Sequence, residues 1–153
     1  MKWYLAGPIC HVKDDSDKEW REEAKRYLKD RGHGYIDPFE EEKIPETDIE
    51  NPKEFFNQLR IMSEWKRLNI LMQPILYIDK ISVTNADGVL CYSPEPSWGT
   101  IRECTLAHEQ SKPIVIFTGG VHTKDNMSNT MVGMASAIVE TLDDAIDECL
   151  KYD

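Results

Sequence analysis

Positive charge is scarce in this sequence: 18 Lys and Arg stand against 28 Asp and Glu, a formal net charge of −10. That balance argues against a phosphate-backbone binder, whose affinity rests on Lys and Arg neutralising phosphates. A small uncharged or singly charged ligand stays open. Cysteine is also sparse. The four that occur (Cys10, Cys91, Cys104, Cys149) are too widely spaced for a disulfide framework or a metal knuckle. Reduced, buried thiols in a cytoplasmic protein are the expectation. No apolar run approaches the roughly 20 residues a membrane span needs. No charged-then-apolar leader opens the chain, and no repeat or low-complexity tract interrupts it. At 153 residues the chain suits one domain with a proper core better than two.

What is present is a set of short apolar runs separated by turn residues. Gly88-Val-Leu-Cys-Tyr92 and Pro113-Ile-Val-Ile-Phe117 show no polar alternation, as strands do when helices cover both faces of a parallel sheet. Lys2 to Ala6 reads as a first strand that runs into Gly7-Pro8, a βα connection in which glycine lets backbone approach a ligand. A helix over about 17–31 follows, with Trp20, Ala24, Tyr27 and Leu28 on one face, basic residues late and Gly32 as its stop. Tyr35-Ile36 is a brief second strand, and the acidic stretch 39–50 reads as a surface loop. Pro52 suits the first turn of a helix through Phe55, Phe56, Leu59 and Met62 towards Leu71, broken at Pro74. A shorter helix is expected over 75–85. A last strand is expected at 137–139, and Thr141 is the expected N-cap of a closing helix with Leu142, Ala145, Ile146 and Leu150 inward. Five strands alternating with helices imply a doubly wound α/β fold. It has a five-stranded parallel sheet in the flavodoxin-like order 2-1-3-4-5 with helices on both faces.

In such sheets ligands bind outside the carboxyl ends of the strands. Ser93 to Gly99 is a proline-broken loop at that rim, and the helix it opens, from Ser97 or Gly99 to about Ser111, brings Glu103 close to it. A carboxylate there can serve as a nucleophile, although an acidic residue early in a helix is also a favourable surface charge.

Tyr4-Leu-Ala-Gly-Pro-Ile9, Asp79 placed eight residues before Asp87, and Pro96-Ser-Trp-Gly-Thr-Ile-Arg-Glu103 together resemble the nucleoside 2-deoxyribosyltransferase family. That family includes a branch of deoxynucleoside 5'-monophosphate N-glycosidases. The likeness covers nearly all of a single domain, 1–153, with residues 39–72 as a family-variable insertion over the site. It implies that Glu103 attacks C1' of the deoxyribose to form a glycosyl ester. It implies that Asp79 handles the proton of the departing and incoming base, and that the Tyr4 hydroxyl reaches towards the nucleophile. Gly7, Pro8, Ile9, Ser97 and Gly99 are implied substrate contacts. Asn129 and Met131 match a segment that the family donates into a neighbouring subunit's pocket, so a homo-oligomer with a shared site is implied. No metal or organic cofactor is required.

Each residue also has a plainer role: Asp79 as a helix cap, Tyr4 as a core aromatic, Ser97 as an N-cap, Trp98 as packing and Asn129 as a polar loop residue. The four histidines pair with no nucleophile and are assigned nothing. The branch that cleaves deoxynucleoside monophosphates carries a serine and an arginine where Pro8 and Cys10 stand here, beside Asp14, Asp15 and Asp17. With only His11 and Lys13 close by, this favours deoxynucleosides over their monophosphates. The expected partners are therefore a deoxynucleoside or deoxynucleotide and a free nucleobase. The alternatives are a monophosphate N-glycosidase and a catalytically silent nucleotide-binding domain.

Overall fold

The computed structural model describes residues 1–7, 16–41, 52–95, 97–120 and 127–152. Five parallel strands, β1 (Lys2–Ala6), β2 (Gly34–Ile36), β3 (Gly88–Tyr92), β4 (Ile114–Phe117) and β5 (Ala137–Val139), form one sheet in the order β2-β1-β3-β4-β5. The expected topology is the one observed. Trp3 pairs with Gly88 and Val89 with Ile114, which lines up the carboxyl ends of β1, β3 and β4 on one edge.

The lack of polar alternation has a direct cause: both faces of the sheet are covered. Trp3, Leu5, Leu90, Val115 and Phe117 point to one side. There α1 (Ser16–Asp30) packs through Trp20, Ala24 and Leu28, and α7 (Leu142–Cys149) through Ala145, Ile146 and Cys149. Tyr4, Ala6, Val89, Cys91, Ile114 and Ile116 point to the other side. Their cover comes from α4 (Trp65–Asn85), α5 (Trp98–Glu109) and α6 (Asn129–Met134), through Val83, Cys104, Ala107 and Met131. As expected, Thr141 caps α7, its hydroxyl accepting from Asp144 N at 3.1 Å. A single 3-10 turn (Leu150–Tyr152) closes the described chain.

Two expectations are corrected. Residues 39–41 are not loop but part of a one-turn helix, α2 (Pro38–Glu41), and the rest of 39–50 lies outside the described residues. The helix opening at Pro52 ends early, as α3 (Pro52–Ile61), while α4 runs unbroken through Pro74. The break falls at Ser63, which adopts a left-handed φ of 57°. Glu64 N reaches back to Leu59 O (2.9 Å) and Ser63 N to Arg60 O (3.0 Å), the paired bonds of a Schellman stop. Gly32 (φ 78°) and Ser111 (φ 56°) end α1 and α5 with the same paired bonds.

Candidate active site

The site lies at the carboxyl edge of β1 and β3, where α5 begins. Ser97 occupies the N-cap of α5 in an extended conformation, yet its hydroxyl makes no capping hydrogen bond. Trp98 is 89% exposed, so it is not a core packing residue. Gly99 is exposed, and a Cβ built there would meet only Ser97 Oγ, at 3.9 Å.

Glu103 falls in the second turn of α5, just beyond the reach of the helix-terminal field. It is 6% exposed and accepts a hydrogen bond on Oε1 from the Tyr4 hydroxyl at 2.8 Å. Tyr4 is fully buried in the middle of β1, on the sheet face that α5 covers. Its hydroxyl, rather than the helix dipole, is the observed partner of the carboxylate. Such a bond fixes the orientation of the carboxylate.

Asp79 sits on the inner face of α4, 9% exposed. Burial pushes its carboxyl above the ordinary range, and the Arg102 charge pulls it partly back. Arg102 precedes Glu103 in α5, and a helix rotates successive side chains by about 100°. Glu103 therefore points to β1 while Arg102 reaches α4, its Nη1 3.4 Å from Asp79 Oδ2. The structure thus joins Tyr4 to Glu103 directly, and Asp79 to the residue beside Glu103.

Gly7 is buried at the exit of β1, where a Cβ would meet Trp20 Cζ2 at 2.9 Å. Its carbonyl accepts from Arg21 Nη2 at 3.3 Å. This Arg21 is part of a buried charge cluster that the sequence reading missed. It is 1% exposed, its Nε 3.4 Å from Asp37 Oδ1, and Lys25 Nζ lies 2.6 Å from Asp37 Oδ2. Burial alone would lower the Lys25 pKa, but bonds to Asp37, Glu22 and Glu40 raise it on balance. The available signal was Arg21 and Lys25 at i, i+4 beside the apolar stripe of α1, with Asp37 ending β2.

Pro8 and Ile9 lie outside the described residues, as do Cys10, His11 and Lys13. Asn129 is exposed at the start of α6, whereas Met131 is buried in the chain's own core. His33 is buried and accepts from Trp3 Nε1 at 3.3 Å, and His108 is exposed. Cys91, Cys104 and Cys149 are buried, unbridged thiols. Among the described residues no group of His, Cys, Asp and Glu could hold a metal, and no helix is long and apolar enough to cross a membrane.

No protein-family model matches the chain, and no curated protein matches it in sequence. Solved structures do share its fold. A 2-deoxyribosyltransferase of Bacillus psychrosaccharolyticus aligns with a TM-score of 0.61 at 21% identity, over 96% of this chain and 91% of that one. A conserved protein of Enterococcus faecalis V583 aligns at 0.67 and 16% identity, over 99% and 98%. The CMP N-glycosidase BcmB of Clostridium botulinum aligns at 0.55 and 13% identity, over the full length of both chains. The chain is an α/β protein with the five-stranded parallel sheet of these neighbours. Its fold is the one found in a 2-deoxyribosyltransferase and in a nucleotide N-glycosidase.

Proposed function

We propose that the protein cleaves the N-glycosidic bond of 2'-deoxynucleosides and passes the sugar to another nucleobase. The observation that carries this reading is the buried Glu103 carboxylate held by Tyr4 at the ligand-binding edge of the sheet. A buried, oriented carboxylate suits attack on an anomeric carbon, where it stabilises oxocarbenium character and then forms an ester. In the first step Glu103 bonds to C1' while the C1'–N bond breaks, its electron pair leaving with the base. Asp79 delivers a proton to that base. In the second step a nitrogen of the incoming base bonds to C1', its proton passes to Asp79, and the ester C–O bond breaks to restore Glu103. Two displacements retain configuration at C1'. No metal or cofactor enters either step.

Gly7, Pro8, Ile9, Ser97 and Gly99 line the sugar in this reading. The uncapped Ser97 hydroxyl supports it, as does the open space over Gly99. Asn129 comes from a second copy of the chain, but not Met131, which its own core buries; the result is a cytoplasmic homo-oligomer with a shared site, and residues 39–72 cover the base.

Incubation with a deoxynucleoside, with and without a second free base, tests the proposal. Exchange product is expected only when the acceptor is present, and Glu103→Ala should cut turnover by roughly 10⁴-fold with the fold intact. Activity surviving that change removes the mechanism. The fold shared with a CMP N-glycosidase favours a second reading, hydrolysis of deoxynucleoside 5'-monophosphates. Base released from the monophosphate regardless of acceptor would identify it.

A further inference from the structure

Arg102 makes two bonds with different consequences. Its Nη2 donates to the main-chain carbonyl of Leu76 at 2.9 Å, and its Nη1 lies 3.4 Å from Asp79 Oδ2. Leu76 and Asp79 stand three residues apart, on one face of α4. The guanidinium is thereby anchored to backbone and cannot follow the Asp79 side chain if that side chain turns. Contact is with one oxygen only, whereas an arginine meeting a carboxylate fork-to-fork would engage both. Asp79 Oδ1 is left buried and without a hydrogen-bond partner. Leaving such an atom unpaired opposes folding, and a hydrogen bond from a bound substrate would satisfy it.

We infer that Arg102 is a positioning residue for the proposed reaction: it caps Asp79 Oδ2 so that Oδ1 is the oxygen that meets the proton of the nucleobase. Consecutive residues of α5 then divide the labour, Glu103 carrying the nucleophilic oxygen and Arg102 setting the second carboxylate from the neighbouring helix. The inference rests on the proposed role of Asp79, and its test separates the two.

A double-mutant cycle compares the wild type, Arg102→Met, Asp79→Asn and the double variant in deoxynucleoside turnover. Arg102→Met is expected to lower kcat by about ten- to a hundredfold with little change in KM. In the Asp79→Asn background the same change should cost less than about twofold. Arg102→Lys, which keeps the charge but cannot hold Leu76 O and Asp79 together, should recover only part of the loss. An equal loss in both backgrounds, or full activity of Arg102→Met, overturns the inference. If the wild type releases no base from any deoxynucleoside or deoxynucleotide, the proposed function fails by itself. Carbon-13 titration of the Asp79 carboxyl then still decides the pairing. Its midpoint should rise when Arg102 becomes Met, and an unchanged midpoint overturns the contact on which the inference stands.

Discussion

Two buried groups of the proposed site, Tyr4 and Asp79, should each leave a measurable trace. Removing the Tyr4 hydroxyl with Phe takes away a hydrogen bond to a charged group, about 1.5–3 kcal/mol. The kcat of Tyr4→Phe should therefore fall about 10- to 100-fold, while circular dichroism stays native. Asp79 leaves its trace in stability. Burial raises its carboxyl in the folded state, so the fold holds that proton more tightly than the unfolded chain, where Asp titrates near about 3.9. This group's contribution to stability is fully present below the unfolded value and is lost as pH rises through the raised folded value. Asp79→Asn should accordingly melt higher than the wild type at pH 7, with the gap closing below pH about 4. A wild type that melts higher at neutral pH would contradict the burial argument. Glu103, Tyr4 and Asp79 were legible in the sequence because their types and spacing resemble a known catalytic set. Arg102 stood inside the quoted motif with no role assigned to it. Its reach to α4 depends on how two helices pack, which no local pattern encodes.

The strands and their order were legible for a physical reason at the scale of elements. Runs such as Ile114–Phe117 are apolar on both faces, and only a covered parallel sheet satisfies them. Gly32 marked the end of α1, and the end of α5 was placed near Ser111 without a glycine to mark it. Ser63 and Ser111 adopt the same left-handed turn without that signal, so the stop between α3 and α4 was missed. Pro74 misled in the opposite direction, since α4 tolerates the missing N–H inside a helix of 21 residues. A serine in the left-handed region pays a Cβ clash that glycine avoids. Ser63→Gly is expected to stabilise the protein by about 0.5–1 kcal/mol, and Gly32→Ala to destabilise it by a similar amount. For a chain of this size each change is a shift of roughly 2–4 °C per kcal/mol in thermal unfolding. Equal melting temperatures for all three proteins would mean that the turns relax to another geometry.

Across the whole molecule the least explained surface is the outer side of α4. Asp79 and Val83 mark its inner face, and Ile70, Pro74, Tyr77 and Ile81 follow at i, i+4, i+7 and i+11 on the opposite one. Ile70 and Tyr77 are 61% and 64% exposed. A monomer that exposes such a stripe leaves a contiguous apolar patch in water, which soluble monomers rarely do. In the proposed assembly the second copy would cover it, and because α4 also carries Asp79, interface and candidate site would share one helix. A carboxylate introduced at the centre of that contact would be buried without a partner, at a cost of several kcal/mol. Ile70→Glu and Tyr77→Glu should each raise the dissociation constant of the assembly at least roughly a hundredfold. Light scattering across a dilution series would read that rise. Since Ile70 and Tyr77 lie on the exposed face of α4, away from Asp79, their replacement should affect turnover only through assembly. Turnover per chain should therefore fall on dilution in step with the loss of assembly. If the wild type is monomeric at every concentration and fully active, the site is complete within one chain, and the assignment of Asn129 to a neighbour is wrong.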